Sequence, residues 1–193
     1  GLLSEGNMRL LIGTISDDDI KIELILNTLE NYYSDDGYNS LIGTISSFDK
    51  KLELCRKTVD YQQTVGKKYL QNFMLYFIFK GTIEVKSQDD AQYLISKLQE
   101  VMADEKLKSY VDSHTISAIF MAMIKNDSLL ISTYNEIIKN PSLSVMVDGN
   151  VLKEFIKCFE DDRLKLQIIN QTLRDKALSI KDIESLLKSN IID

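Results

Sequence analysis

A six-residue string occurs twice in this chain. Leu11-Ile12-Gly13-Thr14-Ile15-Ser16 returns as Leu41-Ile42-Gly43-Thr44-Ile45-Ser46, thirty residues further on. After each copy an acidic turn leads into apolar residues at three- and four-residue steps: Ile22, Ile25, Leu26 and Leu29 in the first, Leu52, Cys55 and Val59 in the second. Leu11 stands as far from Ile22 and Ile25 as Leu41 does from Leu52 and Cys55, so identity and helical phase repeat together. Self-similarity at such a period marks repeat architectures, in which each unit is a supersecondary element that cannot bury its apolar face alone.

Looser copies follow. Tyr69 to Phe79 reads as a first helix, and Asp89 to Met102 as its partner, with Ala91, Leu94, Ile95 and Leu98 on one face. Thr115 to Ile124 pairs with Leu129 to Ile138, and Val151 to Phe159 with Leu164 to Leu173. Ile180 to Ile192 reads as an opening helix without a mate, and Gly1 to Gly6 as the tail of a preceding second helix. Turns inside the pairs fall near residues 18, 49, 87, 127 and 161. Gly81 to Ser87 and Pro141 to Asn150 read as insertion loops. One proline and eight glycines are too few for the many turns of an all-β fold. The expected architecture is all-α: an α-solenoid of about five antiparallel helix-pair repeats, forming one domain over residues 1–193 and cut from a longer array. The apolar Leu2, Leu3, Ile183, Leu186 and Leu187 near its ends make self-association through terminal repeats an expectation.

Acidic residues recur where second helices begin: Asp17 to Asp19, Asp49, Asp89-Asp90, Asp127 and Asp161-Asp162. A carboxylate there satisfies orphan amides and complements the positive end of the helix dipole, so these residues read as caps. The chain carries one histidine, His114, and its glycines are scattered singly. That leaves no histidine-based metal cage, triad or phosphate loop, so neither enzyme activity, metal nor cofactor is expected. Cys55 and Cys158 lie far apart in apolar-periodic segments and read as buried thiols in a reducing intracellular compartment. No apolar run approaches the length needed to span a bilayer.

The net charge of −6 disfavours nucleic acid as a partner, yet the charge is uneven. Between Lys50 and Lys68, six basic residues (Lys50, Lys51, Arg56, Lys57, Lys67, Lys68) face Glu53 and Asp60. This cluster reads either as a solvated helix face or as a patch for phosphates.

The second repeat, Tyr38-Asn39-Ser40-Leu41-Ile42, resembles the opening of a pentatricopeptide repeat, whose first helix is entered through Tyr-Asn-(Ser/Thr)-Leu-Ile and whose second carries a small residue where Cys55 stands. The first repeat matches at Leu11, Ile12 and Ile25, the fourth at Thr115 to Ile119 and the fifth at Leu152 to Ile156. The resemblance implies a protein of the degenerate fungal type that binds single-stranded RNA in the mitochondrial matrix, serving RNA stability, processing or translation. It implies that Ser40, Ser117 and Glu154 face bases, with Asn39 beside Ser40. Leu10 holds the same place in the first repeat and cannot read a base. Lys50, Lys51, Lys67 and Lys68 would then contact phosphates. The rival is a tetratricopeptide-like scaffold that presents a groove to a protein partner. Lysines flanking the first-helix groove favour RNA; an acidic groove with the lysines on the opposite convex face favours the protein.

Overall fold

The structure is a computed structural model that describes residues 4–29, 35–66, 74–81, 84–123 and 126–175, together with residue 184. Among the described residues there is no β-strand. Among these residues ten longer helices alternate in chain order as the first and second helices of the sequence reading: α1 (Glu5–Gly13) then α2 (Asp18–Thr28), α3 (Asp35–Ile42) then α4 (Phe48–Val65), α5 (Met74–Gly81) then α6 (Gln88–Ala103), α7 (Ser113–Met121) then α8 (Asp127–Lys139), and α10 (Gly149–Lys157) then α11 (Asp162–Asp175). A one-turn helix, α9 (Pro141–Ser144), stands between the last two pairs. Each second helix begins within one residue of the turn position read from the sequence.

The duplicated hexapeptide forms the end of a first helix and the turn after it. In both copies the threonine folds back on the helix. Thr14 donates its hydroxyl and its amide to the carbonyl of Leu11, at 2.7 and 3.1 Å, and Thr44 does the same to Leu41, at 2.6 and 3.0 Å. Thr14 and Thr44 thus satisfy a last-turn carbonyl that a helix end leaves without a partner. At the other end, Asp17 accepts from the amides of Asp19 and Ile20, and Asp161 from that of Arg163. Elsewhere a neighbour is the cap: Ser47 for α4, Ser87 in a box with Asp90 for α6, and Asn126 for α8. Asp49 and Asp127 lie one residue inside the first turn, where their charge complements the dipole. The long α4 stops at Gly66, whose φ of 68° is the left-handed conformation that glycine adopts without strain.

First helices pack on first helices, α1 on α3, α5 on α7 and α7 on α10, while α2 packs on α4 and α6 on α8. The stripes expected to be apolar are the ones between these layers. Ile22, Ile25, Leu52, Cys55, Ala91, Leu94 and Leu98 are wholly buried, as are Ala118 and Ile119. Leu41 and Leu11 part company, for Leu41 is buried and Leu11 half exposed. Leu41 faces a covered side of α3, whereas no described element covers that side of α1. Leu10 is 71% exposed beside it.

Two expectations need correction, and one connector has no counterpart among them. Ser4 caps α1 by accepting the amide of Asn7, so residues 4–6 enter a first helix instead of ending a second. Pro141 to Asn150 is partly helical, because Asn140 caps α9 and a proline at the first helical position loses no hydrogen bond. The segment from Asp104 to Asp112 is a connector that helical periodicity does not signal. It makes a 3-10 turn at Lys108–Tyr110, buries Leu107, and accepts at the Tyr110 hydroxyl a 2.6 Å hydrogen bond from Gln62 of α4. The terminal apolar residues Leu2, Leu3, Ile183, Leu186 and Leu187 lie outside the described residues.

Inside the second pair, the Tyr38 ring is buried and its hydroxyl bonds to Thr58 of α4, itself fully buried. Removing one member strands the other without water. Tyr38→Phe is expected to lower stability by about 1–2 kcal/mol in urea unfolding. Tyr38→Phe with Thr58→Val should recover most of that loss; a double variant no better than the single would show that the bond does not hold α3 to α4.

Candidate functional site

The basic cluster begins on the first turn of α4, where the Ser47 cap sets Lys50 and Lys51. Lys50 bonds to Asp19 of α2 and to Glu53, the latter at 2.9 Å, and these carboxylates hold its ammonium above the ordinary range. Glu53 also takes Lys57 at 2.8 Å. Arg56 reaches across to α6, where it pairs with Glu100 at 3.0 Å and with Asp104. Lys97 of α6 reaches back to Asp49 at 2.6 Å. Lys51 is buried, with 7% of its surface exposed; burial pushes its ammonium down and Asp18 opposes that. Lys67 and Lys68 lie outside the described residues. The described part of the cluster therefore ties second helices to one another. Farther along the same layer, Gln88 and Gln92 of α6 bond to Glu136 of α8, and Gln88 to Ser132.

One joint carries more than the others. Asp18, on the first turn of α2, accepts the amides of Ser46 and Ser47, at 3.1 and 3.0 Å, in the turn of the next pair. Lys21, 4% exposed, bonds to Asp18 at 3.0 Å and donates to the Thr44 carbonyl at 2.7 Å. Burial pushes the Asp18 carboxyl up, but the amide of Ser47, the Lys21 ammonium and the amide of Ser46 outweigh it and hold it below its ordinary value. The buried lysine and its carboxylate thus satisfy each other and pin the second turn to the first pair.

The first-helix layer is different in character. Across α5, α7 and α10 runs a groove of about 440 Å³. Tyr76 and Phe77 of α5 form one side, edge to face with centroids 5.3 Å apart, and Phe77 is 50% exposed. Ser117 and Met121 of α7 lie along the floor, with His114 at its mouth, and Asn150, Lys153 and Glu154 of α10 form the far side. Capping sets the positions: Asp112 accepts the amide of Thr115 to start α7, and Asp148 those of Asn150 and Val151 to start α10. Ser117 donates to the Ser113 carbonyl at 3.0 Å and is nearly buried. Glu154 pairs with Lys157 at 3.0 Å.

Of the residues read from the sequence, Ser117 and Glu154 are brought together in this groove. Asn39 and Ser40 sit on α3, half-buried and outside its lining; the Asn39 side-chain oxygen is enclosed without a hydrogen-bond partner. Lys50 and Lys51 do not line it either. Tyr38-Asn39-Ser40-Leu41-Ile42, which resembles a helix opening, makes up the closing half of α3. Sequence reading passed over Tyr76, Phe77, Asn150 and Lys153. The signal was an aromatic pair wedged between the core residues Leu75 and Ile78, out of phase with the buried stripe. Both cysteines are buried, and burial pushes their thiols up to about 12, so neither is a thiolate near neutrality.

Because the Asp18 carboxyl is held low in the fold, its contribution is present above the ordinary carboxylate value and is lost as pH falls through the folded one. Asp18→Asn is expected to cost about 1.5–3 kcal/mol at pH 7. The gap in urea midpoint between the two proteins should narrow at pH 3; a gap independent of pH would show that the charge is not what binds the turn. No family model, curated protein or solved structure matches the chain.

Proposed function

We propose that the chain is a short α-solenoid that binds a polypeptide partner in the groove of α5, α7 and α10, as a scaffold rather than an enzyme. The observation that carries this reading is that groove itself: three successive first helices present an aromatic pair, a methionine and hydrogen-bonding side chains on one concave surface. Exposed aromatic rings in a concave site are what anchors a partner's apolar side chain, and the polar positions around them set its register. Lys153 and Glu154 oppose each other in charge, so the groove offers no field that would gather a polyanion. Of the lysines expected to do so, Lys50 is engaged with Asp19 and Glu53 and Lys51 is buried, while Lys67 and Lys68 lie outside the described residues.

Single-stranded RNA is the second reading, and with it the mitochondrial role that the pentatricopeptide resemblance implies. It is favoured by Ser117 and Glu154 sharing the groove with an exposed ring on which a base could stack. Two titrations separate the readings. A peptide selected from a displayed random library should bind the protein, and Phe77→Ala should weaken it about tenfold or more. Filter binding to a random RNA pool at two salt concentrations should show nothing that depends on salt. RNA affinity falling with a slope of about −0.7 per phosphate contact, and weakened when Lys50, Lys51, Lys67 and Lys68 are changed to Glu, would overturn the peptide reading.

A further inference from the structure

A second concavity lies in the other helix layer, and it does not depend on the groove just described. Between α8 and α11, where α9 intervenes, a cleft of about 500 Å³ opens. One wall is Ile131 and Ile138 of α8, the other Leu164 and Ile168 of α11, each set spaced so as to share a helix face. The floor is Tyr134 stacked on Phe155, ring centroids 4.5 Å apart and planes 11° apart. Phe155 is in turn braced by Phe120 at 4.7 Å and Phe159 at 5.0 Å. Such a floor is formed before anything binds, so little ordering is lost on binding.

The chemistry of the lining selects the ligand. In a chain with 27% charged residues, no charged side chain is found among the described residues that line this cleft. Polar contacts are offered by the amides of Asn135, Gln167 and Gln171, which donate and accept without charge. An ion entering here would shed water and meet no counter-charge, which is unfavourable. An apolar neutral molecule loses nothing comparable and gains from every apolar area it covers. The cleft's volume lies in the range of small-molecule cavities, which points to a small molecule as the occupant.

We infer that the cleft between α8 and α11 is a binding site for an uncharged, largely apolar small molecule with one hydrogen-bonding end. The apolar body lies on Tyr134 and Phe155 between the isoleucine and leucine walls, and the polar end meets the amides.

The test uses the whole chain and two fluorescent probes of similar size, neutral N-phenyl-1-naphthylamine and anionic 8-anilinonaphthalene-1-sulfonate. The neutral probe should bind saturably at one per chain, and the anionic one at least about tenfold more weakly. Leu164→Trp and Ile138→Trp, from opposite walls at half-buried positions, should each fill the cleft and weaken the neutral probe by about tenfold or more. Far-UV circular dichroism identifies a variant that fails to fold, and the other then decides. Phe77→Ala, in the first-helix groove, should leave probe binding unchanged, so that failure of the peptide reading and of this one are told apart. Unsaturable uptake, equal affinity for both probes, or full binding by a folded filled variant would overturn the inference. So would probe binding that disappears as light scattering shows dimers forming, since the occupant would then be a second copy.

Discussion

A pair of short amphipathic helices has two apolar faces to hide and only one partner within the pair. Ile12, Ile25, Leu41, Ile42 and Cys55 are all dry, in a layer where α1 packs on α3 and α2 on α4. Burial of this kind is strong but has no direction, and it fixes neither the rotation nor the offset of one pair on the next. Direction comes from the polar contacts that cross between pairs. Asp18 takes the two amides of the following turn, and Lys21 closes the same turn at its carbonyl. A displacement by one residue would keep the Lys21–Asp18 pair but take from it the Thr44 carbonyl and the Ser46 and Ser47 amides, and that is costly enough to select one arrangement.

That division of labour explains why the basic residues are where they are. Arg56 and Lys97 hold α4 to α6 from both sides, with Asp104, Glu100 and Asp49 as their counterparts. A local excess of positive charge in sequence becomes, once folded, one half of a set of ion pairs whose other half lies up to 48 residues away. The two layers consequently present different surfaces. The second helices spend much of their charge on one another, and where α9 separates α8 from α11 their surface turns uncharged and apolar. The first helices carry the mixed aromatic and polar groove.

What could be read from the sequence follows the same line. Periodicity located the second helices to within a residue and found the stripe Ala91, Leu94, Ile95 and Leu98, because local spacing alone dictates which residues share a helix face. Acidic residues at helix starts were legible as a class, though Ser47, Ser87 and Asn126 do the capping at three of them. A neighbouring serine or asparagine competes for the same amides, and only the backbone geometry chooses between them. The site was legible in part. Ser117 and Glu154 share a groove because first helices lie side by side, while Tyr76 and Phe77 were hidden by being apolar residues next to other apolar residues. The fate of Lys50 and Arg56 could not be read at all, since pairing with Asp19 and Asp104 requires contacts between helices distant in sequence.

The hexapeptide that occurs twice contains the hydrogen bonds by which its threonine and second isoleucine close the turn. The threonine hydroxyl and amide bonds and the following isoleucine amide bond, from Ile15 to Ile12 and from Ile45 to Ile42, begin and end within it. Deleting residues 14–43 would join Gly13 to Thr44 and restore the same six-residue string, turn and all. The splice point would leave no trace in the local hydrogen bonding of the turn. Between the first two pairs, the contacts of Asp18 with Ser46 and Ser47, of Lys21 with Thr44 and of Lys50 with Asp19 keep account of which turn follows which helix. The bonds that close the turn are thus local, while its place on the first pair is fixed by residues outside the repeated string.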